Sequence, residues 1–176
     1  MDRKQAEAGI ESRFSHLNDL PLLIRHQSDD GECRFCNRSW LEYTGGTAET
    51  ECGDGWLCRV HPDDRERCRE VLLATIRRRA PFELEYRLRR KDGEYRWLLE
   101  TGGPVPAGGG DDAGYLCCSY DITGRVKAER VLLQSEMRLR ETLENIRLIA
   151  IRLDTAGQIN LCNKYFLELV DYPIDV

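Results

Sequence analysis

The chain has 176 residues but only two methionines, three histidines and four phenylalanines, and its aromatic content is 8%. Long apolar runs are also missing. Leu20-Pro21-Leu22-Leu23-Ile24 is among the longest, far below the roughly 20 residues of a spanning helix, so no membrane segment is expected. An excess of basic charge is absent too: 26 Lys and Arg stand against 31 Asp and Glu, for a net charge of -5. Phosphate binding needs a net basic face, so a nucleic-acid partner is not expected. The opening residues Met1-Asp2-Arg3-Lys4-Gln5 lead into no apolar leader, which points to the cytoplasm and makes the eight cysteines free thiols rather than a disulfide framework. What remains is 41% hydrophobic and 32% charged residues with a mean hydropathy of -0.54, suited to one globular domain and part of another.

An internal repeat organises the chain. Leu22-Leu23-Ile24-Arg25 aligns with Leu148-Ile149-Ala150-Ile151, Gly31 with Gly157, Cys36-Asn37 with Cys162-Asn163, and Leu41-Glu42 with Leu167-Glu168, every pair 126 positions apart. One complete unit and the opening of a second are therefore expected, as in a longer tandem-repeat protein. In the first unit, residues 21–26 read as a strand, Ser28 to Gly31 as a turn and residues 32–36 as the return strand. Asn37 is placed to cap a short helix ending at Gly45-Gly46. A longer helix begins at His61-Pro62-Asp63-Asp64, with Pro in its first turn and Cys68, Val71, Leu72, Thr75 and Ile76 on its apolar face. From Phe82 the period becomes two, since Phe82, Leu84, Tyr86 and Leu88 alternate with charged residues. Lys91-Asp92-Gly93-Glu94 turns into a strand from Tyr95 to Gly102 whose outer face needs a cover, and a last strand spans Tyr115 to Ile122. A helix from about Gly124 to Ile146 carries Leu132, Leu139, Leu143 and Ile146 with Glu136 in one seam and Val126, Leu133 and Met137 in a neighbouring stripe, the pattern of a coiled-coil connector, with a helix folded back onto its own domain as the alternative.

These motifs taken together resemble the PAS domain with its C-terminal PAC segment. The matching residues are Asp30-Gly31, Cys36-Asn37 with Trp40-Leu41-Glu42-Tyr43-Thr44-Gly45, Gly55-Trp56-Leu57, Val60-His61-Pro62-Asp63-Asp64-Arg65, Tyr86-Arg87, Lys91-Asp92-Gly93, Trp97 and Asp121-Ile122-Thr123. The resemblance implies an α+β fold: a five-stranded antiparallel sheet with helices on one face, plus an N-terminal helix and a long C-terminal connector helix. The expected divisions are an N-terminal helical segment (1–20), the PAS/PAC domain (21–124), a coiled-coil-like signalling helix (125–146) and the start of a second, truncated PAS domain (147–176). A sensory, non-enzymatic module is implied, one that forms a homodimer and passes its signal to a downstream output domain of the same chain. The family occurs in bacterial histidine kinases and diguanylate cyclases, and both outputs are compatible.

Cofactors can be weighed residue by residue. Cys33-Arg34-Phe35 copies a light-sensor tripeptide on the wrong strand, and Gly55-Trp56-Leu57-Cys58-Arg59 keeps a flavin-site skeleton without its amides. In that register the ring-binding positions fall at Leu88, Leu98 and Ser119, which argues against photochemistry. Noncovalent FAD stays open. Haem is disfavoured, because residues 62–80 contain no histidine and Cys33-x-x-Cys36 is followed by Asn37. No metal site is expected, since residues three apart on a strand point to opposite faces, leaving only Cys36 able to approach Cys58 or Cys117. No catalytic set is found: Gly108-Gly109-Gly110 precedes two aspartates that would repel phosphate. The expected ligand pocket lies between sheet and helices, lined by Leu72, Ile76, Leu84, Tyr86, Cys117, Ser119 and Cys58. The expected relay is Asp121, Ile122, Thr123 and Arg125, with Asp121 holding the helix start by pairing with Arg125. The reading is a small-ligand sensor or conformational relay with no bound cofactor; an FAD- or thiol-based redox sensor and a ligand-free dimerisation scaffold are the alternatives.

Overall fold

The computed structural model describes residues 14–105, 114–146 and 148–170. The glycine-rich stretch 106–113 and most of the proposed N-terminal helix lie outside them; what is described of that segment includes a single 3-10 turn, Ser15–Leu17. The chain divides into two compact units, residues 1–124 and 125–176.

Unit 1 holds strands β1 (Leu23–Ser28), β2 (Cys33–Cys36), β3 (Phe82–Arg89), β4 (Tyr95–Val105) and β5 (Gly114–Asp121). They form an antiparallel sheet in the order β2-β1-β5-β4-β3. The first strand thus lies beside the last, a pairing that periodicity alone does not predict. Between β2 and β3 come the helices α1 (Arg38–Thr44), α2 (Ala48–Glu51) and α3 (Pro62–Arg78), with a 3-10 turn at Gly55–Cys58.

Local chemistry sets these boundaries. Asn37 caps α1 by accepting from the Trp40 amide at 3.0 Å, and Gly45 ends it at φ +69°, where a Cβ would come within 2.8 Å of the Lys91 Cβ. α3 starts with Pro62 behind His61, and Asp63 and Asp64 sit at its positive end while Arg77 and Arg78 occupy its last turn. Asp64 also joins helix to sheet, accepting from the Arg87 backbone at 3.0 Å and from Arg87 Nε at 2.9 Å. These bonds hold the Asp64 carboxyl below its usual range despite its burial.

The core follows the period-two and period-four patterns. Cys68, Leu72 and Ile76 of α3 meet Leu84, Tyr86 and Leu88 of β3, Leu98 of β4 and Tyr115 and Cys117 of β5 in one buried cluster. On the opposite side of the sheet, His26 is in register with Phe35 and Leu116, and Phe14 stacks on His26 (4.8 Å) and Phe35 (5.6 Å). The outer face of β4 is shielded differently: Arg87 lies 5.5 Å from the ring of Trp97.

Unit 2 contains α4 (Thr123–Asn145, starting at the boundary), strands β6 (Ile151–Leu153) and β7 (Ile159–Cys162), and α5 (Lys164–Leu169). On α4, Leu132, Leu133, Met137 and Leu139 are all more than half exposed.

Candidate functional site

Two opposite charges stand inside otherwise apolar strand segments: Arg25 after Leu22-Leu23-Ile24, and Glu100 after Trp97-Leu98-Leu99. Strand alternation turns both inward, and sheet register brings them together. Arg25 lies opposite Cys117 and Glu100 opposite Ser119, one inward row apart on β5. The Arg25 guanidinium is fully buried and donates through Nη2 to both Glu100 oxygens, at 2.8 and 2.6 Å. Glu100 also accepts from the Tyr86 hydroxyl at 2.5 Å and the Ser119 hydroxyl at 3.0 Å. These hydrogen bonds offset the cost of desolvating the buried carboxyl group.

Aromatic rings complete the enclosure. The Arg25 guanidinium carbon is 3.8 Å from the ring centre of Trp56 and 4.5 Å from that of Trp40, an arrangement in which both ring faces attract the buried cation. Trp40 is fixed in turn by its indole N–H, which donates to buried Glu51 at 3.1 Å, and Glu51 is paired with Arg59 Nε at 3.0 Å. Burial works against the Arg25 charge, but the adjacent Glu100 outweighs it and holds the guanidinium protonated. Burial first, then Glu100, pushes the Tyr86 hydroxyl far up, so it stays protonated and donates to Glu100. Arg25 Nε and Nη1 and the Trp56 indole N–H have no acceptor among the described residues.

Of the residues expected to line a pocket, Leu72, Ile76, Leu84, Tyr86 and Cys117 share this buried cluster, and Ser119 joins through Glu100. Cys58 does not: its 3-10 turn buries Trp56 and Leu57 and leaves Cys58 exposed, because the turn's short repeat points the fourth residue outward. Arg25, Glu100, Trp40 and Trp56 were not among the expected pocket residues. Their signal was lone charges of opposite sign in apolar strands.

The residues expected to form a relay are tied to neighbouring elements. Asp121 Oδ1 accepts from the Thr123 amide at 2.9 Å, and Oδ2 accepts from the Tyr43 hydroxyl of α1 at 3.1 Å. Ile122 donates its amide to the Trp97 carbonyl at 2.8 Å, while the Thr123 hydroxyl accepts from the Trp97 amide at 2.9 Å. At the start of α4, Asp121 thus accepts from Thr123 and Tyr43. Beside Tyr43 lies a surface groove of about 460 Å³ that also involves Ser39, Glu42, Arg90 and Lys91.

The cysteines depart from expectation. The β1–β2 register places Arg25 against Cys36 and His26 against Phe35, but Gln27 against Cys33, so Arg34 is an extra residue in β2. This bulge cancels the alternation that would separate residues three apart, and Cys33 Sγ lies 3.3 Å from Cys36 Sγ. Cys36 therefore meets Cys33 rather than Cys58.

Comparison with known proteins agrees with this architecture. A family model described as the PAS fold matches residues 34–116. Curated relatives include an uncharacterized protein of Sinorhizobium fredii, 38% identical over 140 residues (78% of this chain, 17% of that protein). The peroxide stress-activated histidine kinase mak3 of Schizosaccharomyces pombe is 32% identical over 136 residues (75% and 6%), and the Escherichia coli protein named "Probable diguanylate cyclase DgcE" 30% over 108 (61% and 10%). The chain thus spans less than a fifth of each of these relatives. Among solved structures, an RNA-binding light-oxygen-voltage receptor superposes with a TM-score of 0.57 at 23% identity, covering 74% of this chain and 37% of that one. A PAS domain from Colwellia psychrerythraea gives 0.53 at 19% identity, covering 65% and 98%. With the sheet order, the capped helices and the matched segment all in agreement, the chain belongs to the PAS-fold family, and its first unit is a PAS sensory domain.

Proposed function

We propose that unit 1 senses a small oxygen-rich molecule through the Arg25–Glu100 pair and relays the change through β5 to α4. The observation that carries this reading is the set of buried donors without acceptors, Arg25 Nε and Nη1 and Trp56 Nε1, beside a carboxylate that can give way. An oxyanion or carboxylate that takes Arg25 from Glu100 shifts the Glu100 contacts to Tyr86 and Ser119. Ser119 lies two residues before Asp121, and Leu98 is in register with Asp121, so the disturbance reaches the bonds that tie Ile122 and Thr123 to Trp97. In this reading Arg125 belongs to the first turn of the responding helix.

The exposed stripe of Leu132, Leu133, Met137 and Leu139 suits a parallel helix pair in a homodimer, and unit 2 reads as the opening of a second PAS domain. The output, histidine kinase or diguanylate cyclase, lies in the longer signalling protein, for which a cytoplasmic setting is the natural one. FAD remains the alternative ligand, since light-oxygen-voltage proteins share the fold. Leu88 and Leu98, both fully buried and apolar, stand where a flavin would want amides, which favours the smaller ligand.

An absorbance spectrum from 300 to 700 nm, followed by thermal shifts with a panel of small carboxylates and inorganic phosphate, tests the reading. A colourless protein stabilised by one panel member, with Arg25→Met losing the shift, supports it. Flavin bands near 370 and 450 nm would transfer the site to FAD, and no stabilisation by any member would leave a ligand-free scaffold.

A further inference from the structure

The bulge in β2 does more than break alternation. Cys33 and Cys36 become buried neighbours at 3.3 Å, close to the sulfur separation from which a disulfide of about 2.05 Å forms by a small rotation. The Cys33 backbone is clamped to the residue after Cys52: its amide donates to the Gly53 carbonyl at 3.1 Å, and the Gly53 amide donates back at 2.8 Å. Cys52 is the only one of the three that is partly exposed. We propose that Cys33, Cys36 and Cys52 form a redox site at which a hydroperoxide enters through Cys52 and leaves a Cys33–Cys36 disulfide.

The chemistry balances as follows. The Cys52 thiolate attacks one peroxide oxygen, so an S–O bond forms, the O–O bond breaks and the alcohol or water leaves after taking a proton. The Cys33 sulfur then attacks Cys52: an S–S bond forms, the S–O bond breaks and water leaves with the Cys33 proton. Cys36, in contact with Cys33, attacks it in turn, forming Cys33–Cys36 and returning Cys52 as a thiol. Two thiols are oxidised by two electrons for each hydroperoxide reduced.

Charge and hydrogen bonding suit these roles. Hydrogen bonds from Cys33 and then Cys36 pull the Cys52 thiol well below its ordinary range, with Arg34 assisting and burial and Glu49 opposing. For Cys33 the bond with Cys36 pulls the thiol down, but interaction with Cys52 and burial outweigh it and push it up; Cys36 is pushed up first by its bond with Cys33, then by Cys52 and burial, so both wait protonated. Cys68 and Cys117 are raised by burial first and lack this grouping, which keeps them inert.

The test uses the full chain, reduced, desalted and exposed to hydrogen peroxide, followed by alkylation under denaturing conditions and tryptic mass mapping. Cleavage after Arg34 separates Cys33 from Cys36, so the expected product is the peptide 26–34 joined to 35–38. Cys52→Ser, checked for an unchanged circular dichroism spectrum, is expected to slow this product at least about tenfold, whereas Cys58→Ser leaves the rate unchanged. Cys36→Ser is expected to stop the relay at a Cys33–Cys52 link. With the entry thiol held well below its ordinary range, the rate should fall less than about twofold from pH 8 to pH 6, against roughly seventy-five-fold for an ordinary thiol. Full alkylation of all eight cysteines after peroxide, oxidation that begins at Cys58 or Cys118, or an unchanged rate in Cys52→Ser would overturn the proposal.

Discussion

The two units of this chain carry the same framework around different contents. Asn37 accepts from the Ile24 amide at 3.0 Å and donates to the carbonyls of Leu17, Leu20 and Leu22; Asn163 accepts from the Ala150 amide at 3.1 Å and donates to those of Leu143, Ile146 and Leu148. Each equivalent pair is 126 residues apart, and the bulge recurs between Arg152 and Leu153 where unit 1 has it between His26 and Gln27. Gly31 and Gly157 take φ values of +86° and +82° in matching turns. Yet Arg25 in unit 1 corresponds to Ile151 in unit 2, Cys33 to Ile159, and Trp40 to Phe166. The asparagine bracket and the bulge therefore belong to the framework, while the buried ion pair and the thiol pair are specific to unit 1.

The largest expected effect comes from making unit 1 resemble unit 2. Arg25→Ile strands the Glu100 carboxylate in the core and should cost about 3–5 kcal/mol in urea unfolding, because removing one partner of a buried pair leaves a charge without compensation. Adding Glu100→Gln should recover more than half of that loss, and a double variant no more stable than Arg25→Ile would refute the pairing argument. All three tryptophans lie in unit 1, so their fluorescence follows that unit alone.

Next comes the shared bracket. Asn37→Ala removes the α1 cap, leaves the buried Ile24 amide without an acceptor and three part-buried carbonyls without a donor, for a loss of about 2–3 kcal/mol by the same fluorescence assay. Asn163→Ala should leave that transition where it is and instead speed amide exchange in residues 148–170. A shift of the unit 1 transition by Asn163→Ala would contradict the separate behaviour of the two brackets.

A third distinction is in pH. Asp64 binds Arg87 in unit 1 and its folded pKa lies below the unfolded value, so its contribution is complete above the unfolded carboxylate range near 4 and is lost as pH falls through the folded value. Wild-type stability should therefore drop more steeply than that of Asp64→Asn on acidification below about pH 4, as read by urea midpoints. The smallest effect is at Tyr43→Phe, which removes a partly exposed hydroxyl bond to Asp121 and should cost less than about 1 kcal/mol. Its sharper readout is faster amide exchange at Thr123.

Much of this was legible in the residues. Asn37, Gly45 and His61-Pro62 mark their helix ends through backbone bonding within a few positions, and Leu84, Tyr86 and Leu88 alternate as a half-buried strand must. The repeat spacing aligned Asn163 with Asn37, which was expected only as a helix cap. The site was legible only in part. Leu72, Tyr86 and Ser119 were placed inward correctly, but Cys58 was not, since a 3-10 turn has neither helix nor strand periodicity. Cys33 and Cys36 were expected to diverge, because one extra residue in a strand leaves no mark in its hydrophobic pattern.

Residue spacing over a few positions was enough to specify most local elements, the 126-residue repeat and the inward faces of α3 and β3, because these follow from backbone geometry. That β1 lies beside β5, that Arg25 and Glu100, 75 residues apart, meet between two indoles, and that Cys33 and Cys36 touch emerge only in the folded sheet. Such encounters depend on strand order and on a single bulge, and each is stabilised by desolvated contacts that exist only once the sheet has closed.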